Sequence, residues 1–568
     1  MKMRNVALSI VAFGVVGAIA GASFVGGFAV GRPDVQAVDY PQKVVDKLLG
    51  WSSLRVRVTP DQYKTQYDSI FLLLGGEIGT VPVERSGTGG GLTSFGEAIL
   101  LITHEGRFFA ARSASDIKEL PIEAPQNGLA AYRQAAESER FKHFTHDFGK
   151  FRYNDILYYR SDVGHGLAVS YTEFLENQAC YGTAIAVLTL DPDVRSVEQI
   201  SAREEDWDVV YRTRPCLPLK EQWRAIEGHM AGGRIAFRAP ATIYLGSGDY
   251  NWDGVYAPQA IAQRPDMPYG KVIAINLATR QARIVSLGHR NMQGIVFDRN
   301  GQLWVVEHGP RGGDELNRVV EGKNYGWPEE VLGTMYSTLP WPNTLSYGRH
   351  TTFTAPTFAW LPSVAISSLT LIEGFDASWD GDLLMATLMR QSLYRIRIRD
   401  NRVMFAERIP IGKRIRYAHQ HTDGRLVLWT DDKNLIFLTV TQRNVAAKFL
   451  QDLIAKAGYD DDQRRRVEQA LAVCMECHTF EHGGDANGPN LASIFNRPIA
   501  RSDFGNYSDA LKGHGGRWTR EELMAFLNDP AAYAPGTVMP DPEIDDPFVL
   551  SALIDLMEGL GKIAGVPK

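Results

Sequence analysis

Four stretches of this 568-residue chain repeat one pattern: an apolar strand, a short polar turn, then a second apolar strand. They are residues 98–111 (AILLITHEGRFFAA), 233–246 (GRIAFRAPATIYLG), 294–309 (GIVFDRNGQLWVVEHG) and 417–432 (YAHQHTDGRLVLWTDD). Each reads as a β-hairpin, because strand-length apolar runs on either side of a tight polar turn fold back antiparallel. Weaker strands at 166–171 (GLAVSY) and 368–372 (SLTLI) fill the gaps. The starts, near 98, 166, 233, 294, 368 and 417, lie about 50 to 74 residues apart, the range of a four-stranded unit. Six starts predict an all-β, six-bladed β-propeller over 45–442. An irregular β-sandwich with chance internal similarity is the alternative.

The strand pattern stops near Val440. Residues 444–457 (NVAAKFLQDLIAKA) carry helical periodicity, so a linker helix is expected over 443–460 and a smaller, all-α domain over 461–568. An amphipathic helix at 461–473 leads into Cys474-Met475-Glu476-Cys477-His478. Two thiols at this spacing can add to both vinyl groups of one haem, with the adjacent histidine under the iron. A zinc or redox C-x-x-C site is the other reading, but no second thiol pair accompanies it.

Over about 110 residues this region resembles the class I c-type cytochromes. In that family a loop such as Gly488-Pro489-Asn490-Leu491 orients the proximal histidine through its proline carbonyl. The second axial ligand falls where this chain has Met539, in Pro535-Gly-Thr-Val-Met-Pro540, and a closing helix falls at 546–560. The resemblance implies covalent haem c on Cys474 and Cys477, with His478 and Met539 on the iron. Met539 as an ordinary core methionine is the alternative. A thioether ligand raises the reduction potential and suits an electron acceptor.

At the other end, Lys2 and Arg4 precede an uncharged apolar stretch from Val6 to Val30. That is longer than a signal-peptide core and long enough to span a bilayer. Residues 1–32 therefore read as a single-pass transmembrane anchor, with the positive charges cytoplasmic and the rest on the periplasmic side of a bacterial inner membrane. Ala20, Ala22 and Ser23 leave a cleaved signal open. In such an oxidising compartment Cys180 and Cys216 are expected to form a disulfide worth roughly 3–4 kcal/mol; two buried thiols are the alternative. A net charge of −6 without long basic runs excludes a nucleic-acid footprint.

A haem that accepts electrons needs a donor. Residues 227–327 hold Gly228-His229, Gly232-Gly233-Arg234, Gly248-Asp249, His289-Arg290-Asn291-Met292-Gln293-Gly294, the block from Glu307 to Asn317 (EHGPRGGDELN) and Gly322-Lys-Asn-Tyr-Gly-Trp-Pro328. This stretch resembles the soluble glucose/sorbosone dehydrogenases, six-bladed propellers that use pyrroloquinoline quinone (PQQ). Agreement is good over about 225–435 and loose over 50–220. The resemblance implies His229 as catalytic base with Asp249 as its carboxylate partner. It puts Arg290 and Asn291 on the quinone, and Arg414 and Arg416 on the PQQ carboxylates. The Gly309 and Pro310 backbone carbonyls would take calcium. By residue type alone His229 could be structural, and the two arginines a solvated strand face. Where the family places a cofactor-binding lysine, this chain has Met389, in Thr387-Leu-Met-Arg390. Arg390 would replace it only in a shifted register.

These features predict a membrane-anchored dehydrogenase of aldose sugars or related alcohols. It would pass electrons from PQQ to its own haem c and on to a respiratory acceptor. The alternatives are a non-catalytic propeller carrying an electron-relay cytochrome, or an oxidoreductase with another cofactor.

Overall fold

The computed structural model describes residues 66–561, apart from 71, 85–88, 163, 343, 444–453, 476–477, 479–487, 492–493, 502–503, 505–506 and 538. The expected anchor at 1–32, most of the linker helix and Cys477 lie outside the described residues. Among the described residues no helix is long and apolar enough to cross a membrane.

Alternation of buried and exposed side chains, with long runs buried on both faces, makes strands that must be covered by neighbouring sheets. The described residues form six sheets of four or five antiparallel strands. Their innermost strands are Gly91–Phe95, Tyr153–Ser161, Gly232–Arg238, Met292–Phe297, Ile366–Leu371 and Ile415–Gln420, each packed on the next and the last on the first. This is the expected six-bladed propeller. The ring closes in the sixth blade, where Leu72–Thr80, from the start of the described chain, pairs with Asn434–Arg443 from the end of the propeller. Closure hides the edges that an open sheet would expose.

The repeat was legible but its phase was not. The hairpins at 233, 294 and 417 are first and second strands of their blades, whereas that at 98–111 joins second and third strands. The weak strand at 166 is likewise a second strand, within Gly164–Leu175. A disulfide joins Cys180, at the start of that blade's third strand, Cys180–Leu190, to Cys216, just ahead of the short strand Leu217–Pro218 that pairs back onto it.

Within every blade the first strand starts, and the second ends, at the same end of the propeller, as in Met292↔Glu307, Gly232↔Ser247 and Ile415↔Thr430. Residues just before a first strand or just after a second one therefore gather at one end. His229, Asp249, Arg290, Asn291, Gly309, Pro310, Met389 and Arg414 all occupy such places, and Arg416 lies one residue into its strand.

The C-terminal region is helical. Its helices are Asp461–Met475, Asp509–His514, Arg520–Asn528, Pro530–Tyr533 and Pro547–Gly561. Val467, Leu471, Leu523, Phe526, Leu553 and Ile554 are buried together between them. Ser508, Thr519 and Asp529 cap three of these helices, each accepting a backbone N–H of the first turn. Of the helix expected over 444–457, residues 444–453 lie outside the described residues and 454–456 are helical, after the strand Asn434–Arg443 has ended.

Candidate functional site

The propeller axis is filled by one side chain. Arg234 donates to the carbonyls of Gly90 (3.0 Å), Asn154 (2.9 Å), Gln293 (3.0 Å), Ser367 (2.9 Å) and Arg416 (3.4 Å), one from each of the other five blades. Four of these acceptors sit where the innermost strand carries a bulge. A bulge drops a residue out of ladder pairing, and the guanidinium supplies the missing donors. Its charge lies 3.6 Å from Asp155 and its face is 4.6 Å from the Tyr417 ring centroid.

Beside this plug stands a group of cations. Arg416 is buried and holds Asp431 through Nε (2.9 Å) and Nη2 (3.0 Å). Arg414 reaches the same carboxylate through Nε (2.9 Å) but is itself exposed, so the expected Arg-x-Arg pair shares one partner and only Arg416 is enclosed. Arg290 is buried, its face 5.0 Å from Trp327 and its Nη1 2.9 Å from the Gly309 carbonyl. Its Nε is buried without a hydrogen-bond partner among the described residues. Glu307 fixes the preceding backbone, accepting from His289 Nδ1 (2.7 Å) and the Arg290 amide (2.7 Å). Asn291 spends its amide oxygen on Gly232 N (3.1 Å) and Gln293 Nε2 (2.9 Å), which leaves its NH2 for a ligand.

Sequence reasoning missed three members of the group. Lys150 and Arg152 precede the first strand of the second blade, in the part of the chain with the loosest resemblance. Burial, then the nearby Arg416 and Arg234, pushes the Arg152 pKa down to about 10. Burial, then Arg152, lowers that of Lys150. His308 is also drawn in; burial lowers its pKa and Arg290 and Arg416 add to the fall, against Asp314. The signal that could have found Lys150 and Arg152 is their place, one and three residues ahead of a first strand.

His229 lies among these charges. Burial, followed by Lys150, Arg152 and Arg290, brings its pKa down to about 3, so the imidazole is neutral at neutral pH. The expected hydrogen bond to Asp249 is not formed. Asp249 is fully buried and turns the other way, accepting from Trp327 Nε1 (2.7 Å) and Asn251 N (2.9 Å). Burial and then Asp253 raise its pKa to about 7 against the pull of Arg290. Asp249 therefore seats the indole on which Arg290 rests; its backbone amide also donates to the Arg290 carbonyl (2.9 Å).

Met389 lies 51% exposed on the turn after Leu383–Thr387. Arg390 beside it is exposed as well, its carbonyl accepting from the Ser392 hydroxyl at 2.6 Å. It influences Tyr394 on the outer part of its own blade. Of the two expected calcium ligands, the Gly309 carbonyl accepts from Arg290 and Pro310 is buried. No group of three metal-binding side chains occurs among the described residues, so an ion there would depend on backbone oxygens.

In the helical region His478 Nδ1 bonds the Pro489 carbonyl at 2.7 Å, which fixes the ring and leaves Nε2 for an axial bond. Cys474 is buried at the end of its helix, and Met539 packs part-buried against the helical core. Arg497 has buried Nε and Nη2 atoms without hydrogen-bond partners among the described residues. A haem carries two propionates, so these donors fit that group.

A family model described as Glucose / Sorbosone dehydrogenase matches residues 163–438. The Escherichia coli aldose sugar dehydrogenase YliI is 29% identical over 281 residues, 46% of this chain and 70% of that one. Cytochrome c of Stellaria longipes is 39% identical over 81 residues, 14% of this chain and 75% of that one. The solved structure of the soluble aldose sugar dehydrogenase from Escherichia coli in its apo-form has a TM-score of 0.52 at 22% identity, covering 65% of this chain and 99% of that chain. That likeness is one of fold. The chain spans 58% of the length of an uncharacterized Synechocystis protein to which it is 31% identical over 250 residues, 40% of this chain. Fold and family match together describe a six-bladed propeller joined to a cytochrome c-like region. The chain carries a glucose/sorbosone dehydrogenase domain and, through its C-terminal region, belongs to the cytochrome c family, with haem c as the group of that domain.

Proposed function

We propose that the chain is a quinoprotein dehydrogenase that oxidises an aldose sugar or related alcohol with PQQ at the propeller axis and passes the electrons to its own haem c. The observation that carries this reading is the gathering of Lys150, Arg152 and Arg290 about His229, with Arg416 beside Lys150 and Arg152, and with Arg290 Nε buried and without a hydrogen-bond partner among the described residues. Like charges so close repel unless an anion joins them. A planar tricarboxylate meets that need, and guanidinium groups suit its carboxylates. The substrate class follows the family description and the YliI relative.

When bound, PQQ supplies an ortho-quinone that takes up two electrons from the substrate carbon. The protein supplies the rest. His229, neutral at neutral pH, takes the hydroxyl proton. A bound anion would offset the part of the fall that Lys150, Arg152 and Arg290 add to burial, and so make it a stronger base. Arg290, rested on Trp327, and the Asn291 NH2 donate hydrogen bonds to the quinone oxygens. Arg416, steadied by Asp431, and Arg414 bind carboxylates. Gly309 and Pro310 would hold calcium beside the cofactor. The domain bounds follow the same reading: propeller to 442, linker to 460 and cytochrome domain beyond. Residues 1–32 anchor the chain to a bacterial inner membrane or export it, and a respiratory carrier takes electrons from the haem.

The test is to titrate the haem-loaded chain with PQQ and calcium, add a panel of aldoses and alcohols, and follow the haem α-band. Reduction that requires both PQQ and a sugar supports the reading; no PQQ binding at micromolar concentration overturns it. His229→Ala should lower turnover by roughly 10²–10⁴-fold while PQQ stays bound. Turnover at the wild-type rate in that variant removes His229 from the base role.

A further inference from the structure

Met389 leaves the axial site short of a cation on the fifth blade, where the neighbouring Arg390 is exposed and acts on Tyr394 of the outer part of the blade. The second blade offers what the fifth lacks. The segment that runs into Tyr153–Ser161 carries Lys150 and Arg152 against the catalytic loop. A Cβ added to Gly228 would lie 2.6 Å from the Lys150 carbonyl and 2.9 Å from Lys150 Cβ. Gly228 also has φ +79, so this close approach to the residue before His229 requires glycine. Arg152 Nε donates to Asn154 Oδ1 at 3.2 Å, and the Asn154 carbonyl is one of the five acceptors of Arg234. Arg152 is thus tied to the axis, and the Lys150 backbone to the loop that carries His229. Lys150 is mostly enclosed, at 19% side-chain exposure, and its nearest carboxylate, Asp147, stands 3.6 Å away.

We propose that Lys150 and Arg152 form a cationic clamp on the second blade that binds a carboxylate of the quinone, in place of the lysine absent at position 389. This rests on the functional reading above and adds the residues that let the site hold its anion despite Met389. Burial first, then neighbouring cations, lower the Lys150 and Arg152 pKa values, and an anion held between the two side chains would oppose that fall.

The experiment measures the PQQ dissociation constant of the full-length, haem-loaded chain by isothermal titration calorimetry, without substrate, at two salt concentrations. Lys150→Gln and Arg152→Gln should each weaken PQQ binding about tenfold to hundredfold, the usual size of a lost charge-assisted bond. The salt dependence should also become shallower, and Lys150→Arg should bind nearly as wild type. Adding Met389→Lys to Lys150→Gln should restore much of the affinity, because it returns a cation to the same ligand. Lys150 lies outside the blade core, so its variants keep the test alive if Arg152→Gln does not fold. Wild-type affinity and salt dependence in Lys150→Gln would overturn the clamp while leaving the dehydrogenase reading standing. Failure of the wild-type chain to bind PQQ would overturn both.

Discussion

Arg234 joins all six blades, and its replacement is the most severe single change we expect. Arg234→Met would leave the bulge carbonyls without their donor and Asp155 as a buried charge without its cation. Breaking a buried pair from one side costs about 3–5 kcal/mol, so the variant should lose soluble expression or show a sharply lower melting temperature by circular dichroism. Arg234→Lys keeps the charge but cannot spread donors to five acceptors, and should recover only part of the loss. Sequence displayed this arginine next to two glycines but could not reveal its role. Its acceptors come from segments far apart in the chain, and convergence of that kind is a property of the closed ring. The His229–Asp249 pairing failed for a related reason. Both positions were well placed, at the ends of paired strands, yet the Trp327 indole competes for the carboxylate and wins it. Trp327 lay in a recognisable block whose chemistry the sequence alone did not declare.

The segment ahead of His229 is held by a buried network centred on Glu227. Its carboxylate accepts from the Tyr132 hydroxyl (3.1 Å) and the Lys220 amide (3.1 Å), and lies 3.3 Å from His146 Nδ1. Burial lowers the His146 pKa, but the bond to Glu227, the Phe141 carbonyl and the Glu227 charge together outweigh it and the net shift is upward. Burial raises that of Glu227, but His146, the Lys220 charge and backbone N–H donors together outweigh it and the net shift is downward. A raised histidine stabilises the fold fully below its unfolded value of 6.5 and loses that contribution as pH climbs through the folded value. A depressed glutamate stabilises above its unfolded value of 4.5 and loses that contribution as pH falls through the folded value. The pair therefore contributes most between those unfolded values. Urea unfolding of Glu227→Gln should show its largest deficit against wild type near pH 5.5 and a smaller one at pH 9; an equal deficit at both contradicts the ion pair. The Cys180–Cys216 bridge closes a loop of 36 residues in sequence separation, and Cys216→Ser should cost roughly 3–4 kcal/mol in the same assay. At this scale the sequence was a good guide to type and a poor one to phase. Strand pairs announced themselves by alternating apolar runs, but a first strand and a second strand look alike until the neighbouring blade covers one of them. The helix leading to Cys474 was legible nearly to its last residue, because its acidic start and apolar stripe are local features.

For the whole molecule, the six-fold count could be read from spacing, whereas the closure could not. Nothing local in Leu72–Thr80 says that its partner is Asn434–Arg443, more than 350 residues away in sequence. On the proposed reading, a donor site that removes electrons in pairs and a haem that accepts them singly share one chain, which would keep the acceptor at a high local concentration without a second binding event. The account is tested most directly by stopped-flow spectroscopy of the haem α-band in the full-length chain after mixing with an aldose, with and without bound PQQ. It predicts first-order haem reduction at a rate independent of protein concentration, present only with PQQ and lost in Arg290→Ala together with PQQ binding. Haem reduction by sugar at the same rate without PQQ, or a PQQ-loaded chain whose haem stays oxidised while sugar is consumed, would contradict it.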